Sequence, residues 1–161
     1  LTVAVEDWNA LPRVAAIARL LSCCGSTEWA QQMEEARPFP DLPALLDAAD
    51  RVWRSLSETD RQEAFRAHPR IGERASGQAA EEQSGARNAS EATLAALDRA
   101  NREYEEKFGR VFLVCATGKS AEEMLALCGA RLHNDVGTEM RVTAEEQRKI
   151  TRLRLEKLFG R

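Results

Sequence analysis

The sequence predicts an all-α fold. Apolar residues recur at three- and four-residue steps along most of the chain, and serine, threonine or aspartate stands where several of the helices would begin. Only one run has the character of a strand, VFLVCA at 111–116, and it has no partner of similar character. One short apolar run cannot make a sheet, so it reads as a buried extended connection. The expected architecture is a single domain over 1–161, a bundle of about seven or eight helices with one irregular segment at 67–80.

In chain order, NALPRVAAIARLLSCC (9–24) repeats apolar residues at helical spacing until CCGS ends it. Ser26 can then cap a second helix through Glu28, Trp29 and Met33. ARPFPDLPALLDAADRVWRSL (36–56) is a proline-rich turn followed by an amphipathic helix with Asp41 as its cap. SETD (57–60) has the spacing of a capping box, with aspartate in the glutamate position, and starts a short helix ending near Phe65. In SEATLAALDRANREYEEKFG (90–109), Leu94, Leu97, Asn101, Tyr104 and Phe108 share one face, and Gly109 ends the helix. Two further capping boxes, Ser120 with Glu123 and Thr143 with Glu146, begin the helices expected over 120–135 and 143–159.

The composition is that of an ordinary soluble protein, 43% apolar and 30% charged. A net charge of −3 with scattered basic residues leaves no footprint for nucleic acid. No apolar run approaches the roughly 18 residues of a membrane helix, and no signal peptide is visible. Neither the four cysteines nor the two histidines make a metal pattern, so the cysteines read as buried free thiols in a reducing, cytoplasmic setting. A nucleophilic role for Cys23 or Cys24, as in a thiol-dependent hydrolase, is the minor alternative.

Four positions invite chemistry. His68 opens AHPRIGERAS (67–76), where Pro69 holds it out of the helical region on a stiffened turn. A histidine there is either a helix-end surface residue or an acid–base group, since its reference pKa of about 6.5 makes both protonation states available near neutrality. In GQAAEEQSGA (77–86), Ala79, Glu82, Gln83 and Ala86 share a helical face and Glu81 lies off it. This is either a solvated polar helix or a ligand-facing carboxylate and amide among small neighbours. On the last helix, Arg154 falls in the middle of an apolar arc around Ile150, Leu153, Leu155 and Leu158, and Arg152 lies towards its edge. A guanidinium there keeps its charge and needs an internal salt bridge, an anionic or carbonyl ligand, or a snorkelling path to water. His133, in ARLHND (130–135), reads as a satisfied or exposed histidine, with Arg131 and Asn134 tying that corner by hydrogen bonds.

The same stretches carry a family resemblance. AHPRIGE (67–73), EEQSGA (81–86), NREYEEKFGRVFLVCATGKS (101–120), ARLHND (130–135) and ITRLRLEKL (150–158), with LSCCGSTEWAQQMEEARPF before them, resemble the 2-oxo-4-hydroxy-4-carboxy-5-ureidoimidazoline (OHCU) decarboxylases of the ureide pathway. The resemblance covers nearly the whole chain. It implies an all-α, generally dimeric lyase without metal or organic cofactor, which releases CO₂ from OHCU and gives (S)-allantoin. It puts the catalytic pair on His68 and Glu82. Gln83, Arg154 and backbone groups around Phe112 and Val114 become the substrate-binding set. Many members carry a serine three residues before the glutamate, where this chain has Ala79. The hydrogen bond that serine gives would be missing here, or supplied by Ser76, Ser84 or water. The loop between His68 and Glu82 is also short. The alternative to an enzyme is a helical ureide- or purine-product-binding module that keeps the pocket and turns nothing over.

Overall fold

The computed structural model describes residues 2–72 and 77–160, and these form nine α-helices and one 3-10 turn with no strand. In chain order they are α1 (Val5–Asn9), α2 (Arg13–Leu21), α3 (Thr27–Glu35), α4 (Leu42–Ser55), α5 (Glu58–Arg66), α6 (Gly77–Glu82), the 3-10 turn Ser84–Ala86, α7 (Glu91–Phe108), α8 (Ala121–Arg131) and α9 (Val136–Leu158). They gather into two compact units, Leu1–Ala64 with Gln147–Arg161, and Phe65–Glu146.

In the first unit α3 packs against both α2 and α4. Ser26 accepts from the Trp29 amide at 3.3 Å and Asp41 from the Ala44 amide at 2.9 Å, so both expected caps form. Ser57 caps α5 by accepting from the Asp60 amide, but its hydroxyl donates to the Asp60 carboxylate, which leaves no reciprocal box. Two buried indoles fill the interior and direct their N–H groups to main-chain oxygens, Trp8 to Ala16 and Trp29 to Ala49, each at 3.2 Å. Arg37 closes the end of α1. Its Nη1 donates to the carbonyls of Trp8, Asn9 and Leu11 while Nη2 meets Glu34 at 2.6 Å, which ties the chain leaving α1 to α3.

In the second unit α7 packs on α8 over a core of Ile71, Leu97, Tyr104, Phe112, Val114 and Met124, with smaller residues between them. Ser90 caps α7, and Gly109, at φ +72°, terminates it in the left-handed conformation that glycine adopts without a Cβ clash. The Ser120–Glu123 capping box forms in full. Segment 111–116 is irregular and buried except at Val111, as its pattern implied.

Two expectations fail, and a third is narrowed. Thr143 and Glu146 do not start a helix, because α9 already begins at Val136, where Asp135 accepts from the Thr138 amide at 2.7 Å. The TxxE spacing that matches a capping box also places Thr143 and Glu146 on one helical face, and both are buried there. Leu153 is 41% exposed and lies off the buried face, which Thr143, Gln147, Ile150, Thr151 and Leu155 define instead. Residues 77–80 of the segment expected to be irregular belong to α6.

A polar cluster of the second unit is internal. Glu139 is wholly buried, and the Arg131 guanidinium donates to it from Nε at 2.9 Å and from Nη2 at 2.5 Å. The Tyr104 hydroxyl, the Thr143 hydroxyl and the Asn134 amide also donate to the Glu139 carboxylate. Burial alone would push the Glu139 pKa up, but the bonds from Arg131, Tyr104 and Asn134 outweigh it and hold the value below the ordinary range. A depressed carboxylate pKa stabilises the fold above the unfolded-state value, and that stability is lost as pH falls through the folded value. Arg131→Met should therefore cost about 3–5 kcal/mol at neutral pH by stranding the Glu139 charge. Chemical denaturation checks this, and the double variant R131M/E139L should recover much of the loss.

Candidate active site

His68 follows the end of α5, its amide bonded to the Phe65 carbonyl at 3.3 Å and its side chain half-buried. The residues just after it are fixed to α7 and to the Gln83 side chain. Arg70 makes a two-pronged ion pair with Glu105, Nε to Oε2 at 2.7 Å and Nη2 to Oε1 at 2.9 Å. The Ile71 carbonyl accepts from the buried Asn101 amide at 2.7 Å, and the Gly72 amide donates to Gln83 Oε1 at 3.2 Å. Gly72 sits at φ +87°, a conformation that favours glycine, and a Cβ there would press on Leu97 Cδ2 at 3.2 Å. Glu73, Arg74 and Ser76 lie outside the described residues.

Through α6 and the 3-10 turn that follows it, burial picks out the expected residues. Glu81 is exposed, Ala79 and Glu82 are half-buried, and Gln83 and Ala86 are buried. Ser84, a possible substitute for the serine lacking at Ala79, is exposed. With its oxygen on Gly72, Gln83 keeps its Nε2 hydrogens without a partner among the described residues. Gly85 allows the 3-10 turn to lie against the chain entering α8, since a Cβ would collide with the Lys119 carbonyl oxygen.

The third component is the connection between α7 and α8. Phe112, Val114 and Ala116 belong to the core cluster, whereas Leu113 and Cys115 do not, the alternation of an extended chain. Its peptide groups follow the same two-residue rhythm. The Leu113 carbonyl accepts from Arg131 Nη1 at 2.6 Å, the Cys115 amide donates to Glu146 Oε1 at 3.0 Å, and the Cys115 carbonyl accepts from Lys119 Nζ at 2.7 Å. The N–H and C=O groups of Phe112 and Val114 have no partner among the described residues. Burial pushes the Cys115 thiol pKa up, Lys119 opposes that, and the Glu146 and Glu82 carboxylates add to it. Glu82 is thus among the charges that act on this segment.

His68, Glu82, Gln83, Phe112 and Val114 all belong to the second unit, and Arg154 belongs to the first. Arg154 is half-buried at the angular centre of the buried face of α9, and its charge acts on the Cys24 thiol. Arg152 lies at the edge of that face, 3.6 Å from Asp50 and 3.4 Å from Glu156. His133 is exposed, and Arg131 and Asn134 tie their corner through Glu139 as expected.

All four cysteines are free and buried. Desolvation pushes the Cys24 and Cys128 thiols up to about 11, so neither supplies a thiolate near neutral pH. Among the described residues no group of three or more His, Cys, Asp or Glu side chains is arranged to hold a metal ion, and no helix is long and apolar enough to cross a membrane.

The sequence offered no individual signal for the residues that hold the 113–115 peptide groups. Glu146 read as a capping residue and Arg131 only as a corner tie, and Lys119 carried no reading of its own.

Comparison with known proteins agrees with these motifs. The OHCU decarboxylase family model matches residues 9–156. The chain is 38% identical over 147 residues to "Uric acid degradation bifunctional protein TTL" of Arabidopsis thaliana, covering 86% of this chain and 45% of that protein. It is 28% identical over 135 residues to a 2-oxo-4-hydroxy-4-carboxy-5-ureidoimidazoline decarboxylase of Haloferax volcanii, covering 81% of this chain and 80% of that one. It covers only 28% of a Bacillus bifunctional uric acid degradation protein, so it spans less than half the length of the two bifunctional relatives. A crystal structure of an OHCU decarboxylase in the presence of (S)-allantoin superimposes with a TM-score of 0.80 at 38% identity, covering 88% of this chain and 96% of that one. With the family model matched over almost its whole length, this chain belongs to the OHCU decarboxylase family.

Proposed function

We propose that this protein is a lyase that decarboxylates OHCU to (S)-allantoin in urate breakdown, with His68 and Glu82 as its catalytic pair. The observation that carries this reading is the 38% identity over 96% of a solved OHCU decarboxylase. The half-buried His68 and Glu82 and the anchored segments beside them support it. The family match runs across both compact units, which supports treating 1–161 as one functional domain.

The chemistry suits these groups. Loss of CO₂ breaks the bond between the ring carbon and the carboxylate and leaves its electron pair on the oxo-imidazoline ring, which can delocalise it. One proton must then be delivered to a ring carbon on a single face, giving the (S) product. The ring thus supplies the electron sink, and the reading assigns no step to a metal or organic cofactor. His68 orients the hydroxyl and carboxylate region for cleavage, and Glu82 holds ring or ureido N–H groups. Between them the pair manages the incoming proton. Gln83 donates through its Nε2 hydrogens, Arg154 reads carbonyl oxygen or developing negative charge, and the Phe112 and Val114 peptide groups bind the ring edge. We assign the activity to a cytoplasmic homodimer. The free, buried thiols suit a reducing compartment, and the dimer rests on the family resemblance.

Freshly generated OHCU, followed by ultraviolet absorbance and circular dichroism, tests the reading directly. Accelerated appearance of (S)-allantoin is expected, whereas a binding module would leave the spontaneous rate and the racemic outcome unchanged. His68→Asn should lower kcat by roughly 10²-fold or more, the scale of a positioned acid–base group, and near-normal turnover by folded H68N would remove His68 from the mechanism. Glu82→Gln should be severely impaired and Glu81→Gln close to normal in the same assay, since Glu81 faces solvent. Equal effects would sink the assignment of the carboxylate. Arg154→Lys keeps the charge but loses the planar fork of donors, so kcat/KM should fall about ten- to a hundred-fold with a smaller change in thermal midpoint. A larger loss of stability than of kcat/KM would make Arg154 a structural residue.

A further inference from the structure

We propose that Arg131 and Glu146 are positioning residues that set the ligand-binding edge of segment 112–115 by gripping its opposite edge. The proposal rests on the decarboxylase reading, in which a cyclic ureide meets the peptide groups of Phe112 and Val114.

In an extended chain the N–H and C=O of one residue point to one edge, and those of the next residue to the other. Here three of the four peptide groups at Leu113 and Cys115 are bonded, and every partner is a charged side chain. Arg131 holds the Leu113 carbonyl, Glu146 the Cys115 amide and Lys119 the Cys115 carbonyl. No main-chain partner takes this place, because no second strand exists among the described residues. Phe112 and Val114, with side chains sunk in the core, keep both peptide groups unpartnered among the described residues although the residues are 0% and 3% exposed. Buried peptide groups are seldom left unsatisfied. The even edge offers donor and acceptor in alternation, which matches the alternating N–H and C=O of an imidazolone ring or a ureido group.

The two gripping side chains are themselves held in place. Arg131 is locked by Glu139, and its guanidinium stands 4.6 Å from the centroid of the Phe112 ring, so one cation fixes both the carbonyl of residue 113 and the side chain of residue 112. Glu146 reaches the segment from α9 and is 9% exposed. Preorganised donors that need no rearrangement at the moment of reaction act mainly on kcat.

Glu146 is the better residue to test, because Arg131 variants also strand Glu139. Glu146→Leu removes the acceptor for the Cys115 amide. Glu146→Gln keeps an acceptor oxygen at the same reach, and Glu146→Asp keeps the charge but shortens it by one methylene. We expect E146L and E146D to lower kcat at least about tenfold with a smaller change in KM, and E146Q to recover most of that loss. Amide hydrogen exchange at 112–115, measured without substrate, should quicken in E146L and E146D and stay near wild type in E146Q, with the α7 and α8 amides unchanged. Should E146L not fold, E146D against E146Q carries the same comparison. A wild type that does not accelerate OHCU decarboxylation overturns the decarboxylase reading and this inference with it. A wild type that does, beside folded E146L or E146D with kcat within twofold and unaltered exchange, overturns the positioning role alone. Exchange that quickens evenly across α7 and α8 assigns Glu146 a general structural role and likewise overturns it.

Discussion

The Arg131 guanidinium is the tie on which the second unit depends. It neutralises the fully buried Glu139, lies against the Phe112 and Tyr104 rings and donates to the Leu113 carbonyl, so α8, α9, α7 and the 111–116 connection meet at one group. A buried carboxylate without a partner would be costly, and a buried guanidinium cannot shed its proton, so neither can be accommodated without the other. Tyr104, Thr143 and Asn134 complete the carboxylate's hydrogen bonding. Hydrophobic burial alone is non-directional; this cluster fixes which turn of α9 faces which turn of α8.

Polar anchoring also fixes the chain around His68. Pro69 stiffens the turn, but the turn is held in place by Arg70, Ile71 and Gly72, which are bonded in succession to Glu105, Asn101 and Gln83. The proposed catalytic histidine therefore stands beside three consecutive anchored residues rather than on a free loop. Gln83 links the two candidate segments, since its oxygen holds the Gly72 amide while its backbone continues from Glu82. A short, tightly bonded scaffold of this kind holds the segments on either side of it in a fixed register.

The thiols show burial deciding chemistry in the opposite sense. Cys24 and Cys128 are both fully buried, and desolvation raises their pKa to about 11. The nearby charge of Arg154 lowers the Cys24 value, but not enough to reverse this. An apolar setting that makes a thiol inert is the same physical cause that would make a carboxylate reactive, and only the surrounding donors distinguish the two outcomes.

Local signals in the sequence determined most of the helices, the caps at Ser26, Asp41 and Ser120, the stop at Gly109, the buried character of 111–116 and the inward face of Gln83. These depend on short-range periodicity and on the orphan amides of a helix's first turn, which neighbouring residues satisfy. The motif residues were also legible, because HP (68–69), EQ (82–83) and LRL (153–155) follow one another along the chain in the order of the family's motifs. Tertiary structure alone decided the rest. Thr143 and Glu146 have the spacing of a helix cap and serve instead inside α9, one in the Glu139 cluster and the other on the Cys115 amide. Leu153 fits an apolar stripe yet faces outward, and the buried face of α9 carries Gln147 and Thr151 bonded to each other at 3.0 Å. A capping box and a buried polar pair share the same three- or four-residue step. What separates them is whether a group distant in sequence arrives to accept or donate, and that depends on packing rather than on the local pattern.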